Sequence, residues 1–242
     1  MKELIILKML NEVSPFIKAI CMPASEELGL MMRDQVRYWR LNNIIRIMDK
    51  SQKMIGFDGN ELNLKANPKV VLSIIDKGSL TDDDDLQNMW AGLVTSSCTE
   101  DGADDANLIF VNILDRMSTI QARITKHICE DSKKVNSLEG LLLTSEYQIP
   151  LTELMEIADC NDIQRLDREV DYMASQRLII GGLYLKDDKE KSLVDDIVSI
   201  TPTALLLNFY VRCTGHKGRI DSYWKNYIPN NEYKSPERFI EF

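Results

Sequence analysis

The 242-residue sequence predicts a mainly helical protein: an N-terminal helical bundle followed by a winged-helix-like C-terminal domain with a small β-hairpin. Two observations carry that prediction. Apolar residues recur three and four apart along the first 130 residues, in runs that open on capping residues and close on Lys or Gly. Beyond Leu138 the pattern changes to two short helical runs, two β-rich runs and a final helix, which is a winged-helix order.

The elements follow in order. Leu4, Leu7, Leu10, Val13, Ile17 and Ile20 keep helical spacing, with Ser14-Pro15 placed as cap and first-turn proline, so two short helices joined at Ser14 are expected. After Met22-Pro23-Ala24-Ser25 a long helix should run from Glu26 to Ile55, with acids at its start and Lys50 and Lys53 at its end, as the helix dipole favours. Gly56 to Asn60 forms a loop. Asn67-Pro68 opens a helix with Val70, Val71, Ile74 and Ile75 on one side, closed by Lys77-Gly78.

The segment from Ser79 to Val94 is predicted as a helix capped by Ser79 or Thr81. Asp82, Asp83, Asp84 and Asp85 sit where free N–H groups favour anions, and Leu86, Met89, Trp90, Leu93 and Val94 form an apolar stripe. A polar loop reaches Asp105, a helix covers Ala106 to Arg116, and Ser118-x-x-Gln121 is a capping-box pattern opening a helix to Glu130.

In the C-terminal part a short helix follows Pro150, and Asn161-Asp162 caps a second with Ile163, Leu166, Val170 and Met173 as its apolar face. Leu178 to Leu185 and Ile197 to Ile200 are the hairpin strands around a charged loop from Lys186 to Lys191, and Thr201-Pro202 caps a helix to Cys213. The expected divisions are residues 1–117, 118–215 and an aromatic tail, 216–242.

Composition narrows the function classes. With 38 acidic against 29 Lys and Arg side chains the net charge is -9, and residues 61–118 alone carry 11 acidic against 4 basic groups. That balance opposes a nonspecific grip on nucleic acid, which depends on neutralising phosphates. Five scattered cysteines without C-x-x-C spacing suggest neither disulfides nor zinc, and fit a cytoplasmic protein. Lys8, Glu12, Pro15 and Lys18 interrupt the apolar start, so no membrane span is expected.

Candidate sites are few. Arg33, Arg37 and Arg40 fall at i, i+4 and i+7, a basic stripe that can meet an anion, a partner or the acidic middle of the chain. Four consecutive helical aspartates point in different directions and cannot converge on one ion, so no metal site is expected. Only His127 and His216 are available for acid–base work. Arg123 and His127 carry a nuclease alternative: toxin-like helical ribonucleases use an arginine followed by four to six intervening residues and a histidine, and here three intervene, a departure from that pattern. No phosphate loop or nucleophile elbow occurs, and no cofactor is expected. The aromatic residues after Gly215 suit docking on the chain's own body or on a second subunit.

Ser79-Leu80-x-x-Asp83-x-Asp85-Leu86-Gln87-x-Met89-Trp90-Ala91-x-Leu93 resembles the signature of the Abi-alpha (abortive infection alpha) family. Glu26-Glu27-Leu28-Gly29 with Asp34-x-Val36-Arg37-Tyr38, and Ile109-Phe110-x-x-Ile113-Leu114-x-x-Met117-Ser118, are similar to the family's flanking helices. The resemblance covers residues 24–130 and implies a bacterial or phage-related antiviral-defence protein without established catalytic residues. The expectation is therefore a non-enzymatic sensor or regulator that contacts a phage or host protein and forms homo-oligomers. The alternative is a nucleic-acid-directed protein, either a winged-helix DNA-binding regulator or a nuclease.

Overall fold

The computed structural model describes residues 13–23, 35–58, 63–136, 141–183 and 196–224; for 35–37 and 136 it describes the backbone alone. The expected helix before Val13, the segment 24–34, the charged loop from Lys186 to Lys191 and the tail beyond Trp224 lie outside the described residues. The described chain is mainly helical with small antiparallel sheets. It divides into two compact units, residues 1–122 with 209–218 and residues 123–208 with 219–242.

In the first unit α1 covers 13–20, α2 Gln35–Ile55, α3 Pro68–Gly78, α4 Asp84–Ser96 and α5 Leu108–Asp115. Ser14 and Pro15 lie inside α1, so the expected break at Ser14 is not where the helix begins. Asn67 caps α3 as predicted, its side chain accepting from Lys69 N. The centre of the unit is α4, packed against α2, α3 and α5. Trp90 is 1% exposed, and Ile44, Ile47, Met48, Ile74 and Leu93 are fully buried. Strands β1 (Lys65–Ala66) and β2 (Cys98–Thr99) pair antiparallel across the loops.

The start of α4 differs from the expected one. Asp83 is the N-cap, its carboxylate accepting from Leu86 N at 3.0 Å, and Ser79 instead ends α3. A carboxylate accepts an N–H bond more strongly than a hydroxyl does, and Asp83 stands three residues before Leu86, the spacing at which a capping side chain reaches a free N–H. Within α4, Gly92 admits a close neighbour: a Cβ there would lie 1.7 Å from the carbonyl oxygen of Cys213.

Helix α6 (Thr119–Asp131) begins in the first unit and ends in the second. Its capping box forms in both directions, Gln121 N donating to Ser118 Oγ and Ser118 N to Gln121 Oε1, each at 3.2 Å. The second unit adds β3 (Lys134–Asn136), β4 (Leu142–Thr144), β5 (Tyr147–Pro150), α7 (Leu151–Ala158), α8 (Ile163–Ser175), β6 (Ile179–Gly182) and β7 (Ile197–Pro202). Strands β3 and β4 pair with each other, and β5, β7 and β6 form an antiparallel sheet in that order. The predicted hairpin is thus β6 and β7; β3, β4 and β5 were not anticipated.

Ile149, Ile179, Val198 and Ile200 turn inward from the sheet and meet Leu154, Leu166, Val170 and Met173 in one buried apolar set. Asp162 caps α8, accepting from Gln164 N and Arg165 N. Helix α9 (Ala204–Cys213) is capped by Thr203, whose Oγ1 accepts from Leu206 N at 3.2 Å. The predicted cap, Thr201-Pro202, lies in β7 because ladder pairing to Ile179 and Ile180 holds it extended. A short helix, α10 (Ile220–Tyr223), follows.

Candidate functional site

Two groupings contain the residues singled out in the sequence. The first surrounds α4. Arg40 donates through Nε to Ser79 Oγ at 2.8 Å, and through Nη2 to the Asp76 carbonyl and Oδ1, both at 3.0 Å. Asn43 Nδ2 donates to the Ser79 carbonyl at 2.9 Å, so two turns of α2 hold the end of α3. Of the arginine stripe, Arg33 lies outside the described residues and Arg37 is described by its backbone alone.

Every described polar residue of the motif has a structural task. Ser79 is fully buried. Gln87 donates to the Thr81 carbonyl, closing the turn ahead of the helix. Asp84 meets Lys50 Nζ at 2.5 Å, and this hydrogen bond holds its carboxyl below the usual range. Leu86, Met89 and Trp90 are buried while Leu80 is exposed. Asp85 lies in the first turn, where the dipole favours an anion.

The second grouping lies on α6 in the second unit. Arg123 Nη1 pairs with Asp159 Oδ2 at 3.2 Å, at the left-handed residue that ends α7. His127, one turn on, is held at both nitrogens: Nδ1 stands 3.0 Å from Asp131 Oδ2, and Nε2 stands 2.8 Å from the Tyr147 hydroxyl. Both ring nitrogens thus have a polar partner, and the direction of the Nε2–Tyr147 hydrogen bond follows from the tautomer of the ring. Burial, with Asp131 and Glu153 nearby, raises the Tyr147 pKa and keeps its proton in place.

This arrangement has the elements of an orienter, a base and a hydroxyl. For external acid–base chemistry, however, Tyr147 would have to give up its bond to Nε2, and Arg123 its bond to Asp159. Close by, Lys134 turns its ammonium onto the C-terminal carbonyls of α6: Cys129, Glu130 at 3.1 Å and Ser132 at 2.6 Å. The ring centroid of Trp224 lies 3.9 Å from the same nitrogen. Burial pulls the Lys134 pKa down to about 8.

Asp131 could have been found in the sequence from its i+4 spacing to His127. Asp159, Tyr147 and Asp76 could not, since their partners are set by the chain's return path, whereas Lys134 bonds to carbonyls two to five residues before it. Among the described residues no group of three or more His, Cys, Asp or Glu is placed to hold a metal ion, and no helix is long and apolar enough to cross a membrane.

The family model for abortive infection alpha matches residues 40–180, more than half of the chain. The chain belongs to the abortive infection alpha family. The matched stretch opens at Arg40, takes in the whole α4 motif, and continues through α6, α7 and α8 into β6. Membership associates the protein with abortive infection. No curated protein and no solved structure matches the chain.

Proposed function

We propose that the protein is a non-enzymatic sensor or regulator of abortive-infection defence that acts by contacting a phage or host protein. The observation that carries this reading is the outward face of α8. Gln164, Arg165, Arg168, Asp171 and Tyr172 are exposed there, with Asp167 and Glu169 half-buried beside them. Arg165 already faces Glu169 at 4.0 Å. Balanced charges around an exposed tyrosine suit a protein surface, whereas a phosphate backbone calls for a surplus of unpaired cations. The internal pairing of Arg123 and His127 adds support, because it leaves neither group facing a substrate.

A second reading is favoured by the topology. The run from α6 through β5, α7, α8, β6 and β7 to α9, with sheet order β5-β7-β6, supports a winged-helix domain, and α8 would be its recognition helix. Phage plating on cells expressing variants separates the readings. Tyr172→Asp and Arg168→Asp are expected to abolish protection, while His127→Ala and Tyr147→Phe retain it at unchanged protein level. Loss of protection in a folded His127→Ala protein would favour the nuclease instead. Salt-dependent binding to duplex DNA, lost on reversing Arg165 and Arg168, would favour the DNA-binding regulator.

A further inference from the structure

Helix α5 reads L-I-F-V-N-I-L-D, apolar at all but two positions. Such a helix belongs inside a protein, yet only one side of α5 is covered. Val111 and Leu114 are buried, with Asn107 and Met117 at the two ends of the same side. On the opposite side Ile109 is 61% exposed and Ile113 is half-exposed, with Asn112 at the edge of that face accepting from Lys77 Nζ at 2.8 Å.

The ends of that face carry opposite charges. Asp104 and Asp105 are exposed in the turn that leads into the helix, Asp105 O accepting from Leu108 N. Arg116, at the other end, is exposed and makes no side-chain hydrogen bond or ion pair among the described residues. Asp105 and Arg116 are centred between Phe110 and Val111, and Ile109 and Ile113 are centred on Val111. Along the sequence the centres of the charged pair and the apolar pair therefore fall within about one residue of each other.

We infer that this face is a self-association surface on which two copies of the chain pack their α5 helices antiparallel. A twofold axis near Val111 sets Asp105 of each copy against Arg116 of the other and brings the four isoleucines together. Such a surface is complementary to itself, as a twofold interface requires. One short helix pair makes a small interface, so the expected dimer is weak, dissociating in roughly the micromolar range. The inference deepens the interaction reading, and the two fail separately. A protein that stays monomeric would remove the α5 interface and leave partner binding on α8 untouched.

An acid at the start and a base at the end also favour the dipole of a single helix, so the test must separate the two causes. Sedimentation equilibrium of the full chain should show a concentration-dependent dimer. Ile109→Asp, or the milder Ile109→Ser, should yield monomer with an unchanged circular dichroism spectrum. Asp105→Arg alone and Arg116→Asp alone should each weaken the dimer at least about tenfold, since each sets like charges together at both ends. The double reversal should restore wild-type association, although it opposes the helix dipole. A monomeric wild type, a dimer that survives Ile109→Asp, or a double reversal no better than either single one would overturn the inference.

Discussion

Helices α4 and α6 both carry polar side chains into covered surroundings, but they satisfy them with different partners. Around α4 the buried Ser79, Gln87 and Thr95 bond to main-chain carbonyls and to other side chains. Thr95 Oγ1, for example, lies 2.9 Å from both Ala91 O and Ser51 Oγ. None of those three side chains titrates. The later turns of α6 bring His127 and Asp131 beside Tyr147 and end against Lys134, and burial raises the Tyr147 pKa and lowers that of Lys134. The buried polar contacts of α4 are thus made by groups that do not titrate, whereas the end of α6 is met by a buried lysine with a lowered pKa.

The largest test on the α4 side is Trp90→Ala, which removes the biggest fully buried side chain. A loss of about 3–5 kcal/mol is expected, read as a lowered urea midpoint at unchanged slope. Gly92→Ala comes next. Its new methyl would press on the Cys213 carbonyl, and destabilisation of about 3 kcal/mol is expected, at the upper end for overpacking. A neutral result would mean that α9 can withdraw from α4.

The α6 side is tested at Lys134. Its folded pKa of about 8 lies below the ordinary lysine value of 10.5 that applies to the unfolded chain. Between those values the unfolded chain holds a proton that the folded chain has lost, so raising the pH favours folding. Below the window both forms are protonated and the folded protein bears the full cost of burying the ammonium. Wild type should therefore gain up to about 2 kcal/mol relative to Lys134→Met between about pH 7 and about pH 9.5. Parallel urea midpoints for the two proteins across that window would mean that burial does not lower the Lys134 pKa in the folded protein.

Local signals made much of the helical framework legible. Asn67-Pro68, Ser118-x-x-Gln121 and Asp162 each cap as their neighbours dictate, because a cap is settled within four residues. The short strands were harder to see. Tyr147–Pro150 has no alternation long enough to announce a strand, and its extended form comes from pairing with Ile197–Ile200, some fifty residues away. The site divided in the same way. Arg123 and His127 stood out by type and spacing, while Asp159 and Tyr147 were invisible until the chain returned to them.

The smallest effect bears on where α4 begins, for which the sequence offered Ser79 or Thr81 and the structure places Asp83. Replacing the capping carboxylate in Asp83→Ala leaves Leu86 N without its acceptor and should lower stability by about 1 kcal/mol. Asp83→Ser keeps an acceptor at the same position and should recover most of that loss. Thr81→Ala should be nearly silent, because Gln87 uses the Thr81 carbonyl and that carbonyl survives the substitution. A large Thr81→Ala effect beside a silent Asp83→Ala would move the helix start back toward Ser79. It would also return the aspartate run to the helix interior, where successive carboxylates diverge and the charge near the N-terminus has to be accounted for by the dipole alone.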